Sequence, residues 1–255
     1  MNRTLLKHMI VTSVIAVLGV STSFAALVME RDQSVDTAPS VGMYRFEVPV
    51  ELQGTYNSAG VANLTASMEK EPNTLSMNVA HVKGNPSESY VVEIYKDLAA
   101  IEAHRKSDHY QAFVNEVGSK LTNRKMYDVQ SVLLFEKKDV LSIVNDGKAV
   151  VTLTEFTVDS NEIDTVQRQY ELDIERAVRD DAGYKAGYVL RERNAKNHWY
   201  IIQVYSDQDA LTKHLNSPGY RFMMSQIQGS LQNVTTKVLD GDILVNHGGQ
   251  VFVRP

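Results

Sequence analysis

The sequence predicts an α+β protein in which two similar βαββαβ domains follow one another in a single chain. Three observations carry that prediction. Residues 95–121 (YKDLAAIEAHRKSDHYQAFVNEVGSKL) and 205–231 (YSDQDALTKHLNSPGYRFMMSQIQGSL) align without a gap at an offset of 110. They are identical at seven positions, Tyr95/Tyr205, Asp97/Asp207, Ala100/Ala210, His104/His214, Ser107/Ser217, Tyr110/Tyr220 and Leu121/Leu231, where unrelated segments would share roughly one or two. That period is too long for a solenoid unit and suits one small domain. Finally, segments of strand and helix periodicity follow the same order around both copies.

The elements can be justified in turn. Residues 43–50 alternate as a strand, and Val61, Leu64 and Met68 carry a helical spacing that Gly54 and Gly60 weaken at its start. Strands at 75–82 and 90–95 are joined by the turn formers of KGNPSES. A short helix at 98–103 breaks near Ser107, a longer one covers 108–121, and 126–136 is the fourth strand. After the polar connector KKDVLSIVNDG the order repeats. A strand at 150–158 precedes a helix capped by Asp159 or Ser160, and Asp159 with Glu162 has the spacing of a capping box. The apolar face of that helix is Val166, Tyr170, Ile174 and Val178. A hairpin of 184–191 and 199–205, a second repeat helix running to Leu231 and a strand at 234–239 complete the unit. The expected domains are 42–137 and 148–240, with 241–255 as a C-terminal tail. This is the ferredoxin-like arrangement, an antiparallel sheet with both helices on one face. The bare faces of the two sheets are expected to pack face to face.

The chain begins with the pattern of an export signal, residues 1–25: Arg3 and Lys7, an apolar run from Met9 to Val20, and Ser23-Phe24-Ala25 as a small-x-small cleavage site. The run is shorter than the ~20 residues that span a bilayer, so stable membrane anchoring is not expected. Residues 26–41 read as a flexible arm. The absence of cysteine removes disulfides, thiolate metal sites and thiol nucleophiles, and fits residence in the periplasm. A net charge of −5 without a basic run gives nucleic acid nothing to bind.

The segment EIYKDLAAIEAHRKSDHYQAFVNEV has an acidic residue near a strand end, then an aromatic, a short helix carrying Glu-Ala-His and a Ser-x-His-aromatic start to the next helix. It resembles the antibiotic biosynthesis monooxygenase (ABM) domain family, most closely its quinol monooxygenases, and the resemblance extends over both domains. What it implies is a dimeric α/β barrel in which two sheets pair and each copy holds a pocket between its sheet and helices. Here the pair would be an intrachain pseudo-dimer, with a homodimer of the full chain left open. The implied activity is oxidation of a quinol or other electron-rich aromatic by O2 with no cofactor. The implied alternatives are a haem-binding or haem-degrading protein of the same fold, with His104 or His214 as axial ligand and Trp199 against the macrocycle, and a non-catalytic ligand-binding module.

Each candidate residue has a plainer reading beside the functional one. His104 and His214 are candidate general bases, or caps of the preceding helix. His109, matched by Gly219, is a second pocket base or an exposed first-turn residue. It follows His104 by five positions, not the i, i+4 spacing of helical ligands, so no metal site is expected. Tyr110 and Tyr220 pack on the sheet or turn a hydroxyl into the pocket. Glu93, matched by Gln203, faces water or the substrate. Trp199 stacks on a planar ligand or fills the core. His104, His109, Tyr110 and His214 are thus the catalytic candidates, and Tyr220, Trp199 and Glu93 the substrate-binding ones. The first copy is expected to carry more of the activity.

Overall fold

The computed structural model describes residues 38–255; the export signal and most of the arm lie outside the described residues. The first copy runs β1 (Ser40–Glu47), α1 (Gln53–Lys70), β2 (Thr74–Val82), β3 (Asn85–Tyr95), α2 (Leu98–Lys106), α3 (Asp108–Glu116), β4 (Thr122–Tyr127) and β5 (Val129–Glu136). A short β6 (Leu141–Val144) leads to the second copy: β7 (Val150–Val158), α4 (Ile163–Asp180), β8 (Tyr184–Glu192), β9 (His198–Tyr205), α5 (Gln208–Leu215), α6 (Pro218–Ile227) and β10 (Leu231–Asn246). A final β11 (Val251–Val253) closes the chain. No helix among the described residues is long and apolar enough to cross a membrane.

The last strand of each copy changes partners midway. β4 pairs with β1 of its own copy as far as Tyr127, opposite Met43, and two residues later Val129 stands opposite Glu192 on β8 of the other. β10 pairs with β7 up to Asp240, opposite Val150, and its end pairs with β2, Asn246 lying opposite Ser76. All 11 strands therefore join one antiparallel hydrogen-bonded network. The exchange is reciprocal: β5 lies under α4, and β10 lies under α1.

Period-two alternation gives each strand one face toward the shared core and one toward a helix. Met43, Val92 and Ile94 of the first copy meet Leu153, Tyr188 and Ile202 of the second in a common cluster between the sheets. The face-to-face packing thus follows from apolar residues on both bare faces. A second cluster lies between α4, α5, α6 and their sheet, around Val166, Ile174, Trp199 and Ile227.

Four sequence expectations are corrected in detail. The first strand begins at Ser40, inside the segment read as arm. The polar connector contains β6, which pairs with β10 through Ile143 opposite Leu244; with four residues it is too short to register as alternation. The segment read as a tail supplies the end of β10 and all of β11, which pairs with β5. Gly241-Asp242 resembles a turn in sequence but is a register irregularity at the point where β10 crosses between copies. Finally, the Asp159/Glu162 capping box does not form. Glu162 is the N-cap of α4 without a side-chain bond, and Asp159 Oδ1 instead accepts from the Asn161 N–H at 2.9 Å in a turn ahead of the helix.

Candidate active site

The repeated residues are largely those that fix two helix starts. Asp97 accepts from the Ala100 N–H and Asp207 from that of Ala210, both at 2.8 Å, capping α2 and α5. Ser107 and Ser217 likewise cap α3 and α6 by accepting from the N–H of Tyr110 and Tyr220. Ser107 is extended (φ −69°, ψ 149°), so the chain turns sharply between α2 and α3. Its N–H and hydroxyl both bond the His104 carbonyl, at 3.0 and 2.7 Å. That leaves the His104 imidazole free to point inward, and the helix-cap alternative for it falls away.

His104 is 1% exposed. Its Nδ1 lies 3.1 Å from Glu71 Oε2 and 3.3 Å from Ser67 Oγ, whose hydroxyl donates to the Asn63 carbonyl. Both partners are acceptors toward Nδ1, so the ring carries its proton there and Nε2 is a bare acceptor. Nε2 has no hydrogen-bond partner, and neither has the Oδ1 of nearby-helix residue Asn63, itself 3% exposed. Glu71, the C-cap of α1, also takes His109 Nε2 at 2.7 Å and the Thr74 hydroxyl at 2.7 Å. Tyr110 sets its ring edge on His104 at 4.9 Å between centroids. Glu93 accepts from the Tyr95 hydroxyl at 3.1 Å, and burial pushes its carboxyl up. Burial, and then the Glu93 charge, pushes the Tyr110 phenol up as well.

The second copy fills the same place differently. Asp181 replaces Glu71 and lies 3.3 Å from His214 Nδ1. Asp173 replaces Asn63 and faces His214 Nε2 at 3.4 Å. Arg176, at the position of Ala66, sends Nη2 to Asp173 Oδ1 at 2.8 Å and to Ser217 Oγ at 3.3 Å, with Nη1 3.6 Å from Asp181. A Cβ at Gly219, the position of His109, would collide with the Arg176 Nε. Gln203 replaces Glu93 and donates to the Tyr184 hydroxyl at 3.1 Å. Burial would push the Asp173 carboxyl up, but the adjacent His214 imidazole and the hydrogen bond from Arg176 outweigh it and hold it below its ordinary value.

The structure thus brings His104, His109, Tyr110 and Glu93 into one cluster. Tyr220 takes the matching place beside His214, at 5.2 Å between centroids. It does not leave His214 as an available base, because both ring nitrogens face carboxylates. Trp199 is also displaced from its expected role: fully buried, stacked on Phe156 at 6.3 Å and donating to the Lys196 carbonyl at 2.8 Å, it offers no face to a ligand. The expectation of no metal site rested on the absence of helical i, i+4 spacing, a test that does not reach across the break at Ser107, and Glu71, His104 and His109 present ligand atoms within 4.8 Å of one another. Glu71, Asn63 and Arg176 escaped the sequence reading. Extending the 110-residue offset upstream pairs Glu71 with Asp181 and would have exposed the first. A surface depression of about 470 Å³ lined by residues such as Glu136, Lys138 and Arg179 shares none with this cluster.

Two ferredoxin-like units that exchange their last strands around a common core define a fused α/β-barrel pair. The chain belongs to the antibiotic biosynthesis monooxygenase family, whose model matches residues 41–116 and 149–225, together more than half of its length. Among solved structures it is similar to a candidate monooxygenase from Lactobacillus acidophilus (TM-score 0.78, 19% identity, 84% of this chain and 99% of that one). A candidate monooxygenase from Fusobacterium nucleatum is similar to the same extent (TM-score 0.76, 20% identity, 86% and 100%). An anthrone oxidase-like protein shares the fold more distantly (TM-score 0.52, 10% identity, 87% and 98%). No curated protein matches the sequence.

Proposed function

We propose that the protein is an exported monooxygenase that oxidises a quinol or similar electron-rich aromatic with O2, without an organic cofactor, and that the first copy is its working site. The observation that carries this reading is the contrast at one atom: His104 Nε2 is buried and unpartnered, while His214 Nε2 is faced by Asp173. A carboxylate on Nδ1 orients the ring and leaves Nε2 to accept a proton, which is the logic of a positioned general base.

In the proposed reaction the substrate hydroxyl gives its proton to Nε2, and the phenolate passes an electron to O2. Recombination of the two radicals puts one oxygen atom into the substrate. The other leaves as water, and the substrate supplies all four electrons. Proton transfer from a free phenol to a free imidazole is uphill by about 3.5 pKa units, about 5 kcal/mol. Donors preorganised toward the phenolate offset a demand of that size, and the Tyr110 hydroxyl and the Arg105 guanidinium lie in the same electrostatic neighbourhood. Export rests on the N-terminal signal pattern.

O2 uptake with a panel of quinols tests the assignment. His104→Ala should lower the rate about 10²–10⁴-fold, the usual contribution of a general base, and His214→Ala should change it little. Equal losses would mean two working sites, and no loss in either would refute His104 as the base.

A further inference from the structure

Glu71, His104 and His109 offer one carboxylate and two imidazoles, a donor set suited to zinc and related divalent ions. Tetrahedral zinc with bonds of about 2.0–2.1 Å spaces its ligand atoms about 3.3 Å apart. The Glu71 oxygens stand 3.1 Å from His104 Nδ1 and 2.7 Å from His109 Nε2, so small ring rotations open the set to that spacing.

Two further features point to a cation. Among the described residues Glu71 forms its ion pairs with two imidazoles, whereas the second copy supplies its carboxylates with the Arg176 guanidinium, reaching from the position that is Ala66 in the first. The helix position that carries the Arg176 guanidinium in one copy is thus a neutral alanine in the other. The second feature is the pair of buried orphans, His104 Nε2 and Asn63 Oδ1. Their counterparts His214 Nε2 and Asp173 Oδ2 form an ion pair at 3.4 Å, with Oδ2 making no hydrogen bond. With the His104 proton on Nδ1, both orphans are acceptors. With a metal on Nδ1, the proton would move to Nε2, and Asn63 Oδ1, at the position whose counterpart faces His214 Nε2, would be the acceptor available as the outer partner of a ligating histidine.

We propose that Glu71, His104 and His109 form a site for a divalent transition-metal ion, with Asn63 holding His104 in the ligating tautomer. The proposal goes beyond the oxygenase reading and excludes it in any one metal-loaded chain, because a metal on Nδ1 puts the proton on Nε2, the atom that acts as base in that reading. Zinc titration of the metal-stripped full chain against a chromophoric chelator should show one ion bound per chain. His109→Gly, which installs the second copy's residue, should weaken binding by more than the roughly 100-fold that loss of an outer partner costs, and Asn63→Leu by about 10–100-fold. His214→Ala should leave affinity unchanged. Should His109→Gly unfold, Ala66→Arg with His109→Gly supplies Glu71 with a guanidinium as Arg176 does Asp181, and thermal melting checks that it folds while binding is lost. No binding to the wild type, or binding that survives in the variants, as at the surface group of His81, Asp240 and Asp242, would overturn the proposal.

Discussion

In the first copy His104 rests on Glu71 through one nitrogen and leaves the other unpartnered, whereas in the second His214 stands between Asp181 and Asp173 with Arg176 bonded to Asp173. The histidine, its capping serine and the neighbouring tyrosine are the same in both. The divergence comes from α1 and α4, where Asn63, Ala66 and Glu71 become Asp173, Arg176 and Asp181, and from His109 becoming Gly219. An unpartnered buried polar group costs about 1–3 kcal/mol, a cost the first copy retains at the atom where chemistry is proposed. The second copy faces the matching nitrogen with a carboxylate inside an ion-pair network, although Asp173 Oδ2 and Arg176 Nε are themselves without a hydrogen bond. A residue shared by two repeats therefore does not share its role unless the atoms around it are shared too.

The comparison can be broken at the ion pairs first. Asp173 is 4% exposed, and Arg176→Ala should cost about 3–5 kcal/mol in urea unfolding, the range for stripping a partner from a buried charge. A loss below about 1 kcal/mol would mean that His214 alone compensates Asp173. The pH profile gives the sign. Because the folded Asp173 carboxyl titrates below its unfolded value, its stabilisation is present above about pH 4 and is lost as pH falls further. In the variant that acid limb should shrink, with the part due to His214 remaining.

A second contrast lies at the ends of β5 and β10. Glu136 is 3% exposed and donates nothing when ionised, while its counterpart Asn246 is an amide accepting from the N–H of Leu141 and Gly248. Burial pushes the Glu136 carboxyl up from 4.5 to about 7 despite the Tyr188 hydroxyl that it accepts at 2.7 Å. A raised folded pKa means that stability is full below about pH 4.5, falls as pH rises to about 7, and levels off above. Glu136→Gln should abolish that slope and gain up to about 3 kcal/mol at pH 8. An unchanged slope would place the titration elsewhere.

The smallest effect sharpens the comparison most finely. Ser107→Ala and Ser217→Ala each remove a helix cap and should cost about 1 kcal/mol. Only Ser107→Ala should also slow O2 uptake, because the turn that it caps sets His109 and His104 on the same carboxylate. Equal effects on uptake would argue that both copies work.

Much of the fold was legible because capping residues are local: Asp97, Ser107 and their repeats announce helix starts wherever they stand. The apolar face of α4 was legible for the same reason, Val166, Tyr170 and Ile174 all proving buried. Strand exchange was not legible. β4 and β5 read as one strand, and nothing in the alternation of residues 122–136 says that the pairing partner changes between Tyr127 and Val129. Half of the site was visible as His104, His109, Tyr110 and Glu93. Glu71 was hidden because it meets His104 across 33 positions of sequence, from a helix C-cap that carries no motif. Trp199 misled because a large aromatic in a strand satisfies a core and a ligand platform equally well.

The exchanged strand gives the second copy a duty that its own closed pocket conceals. Beyond Asp240, β10 lies beneath α1, and its Ile243 comes so near Gly60 that a methyl there would stand 3.2 Å from it. α1 is the helix that ends at Glu71. The second half thus builds the floor on which the first half's carboxylate is mounted, so freedom to lose its own site would not bring freedom to lose its last strand, and a chain cut at the apparent end of its repeat would lose that floor.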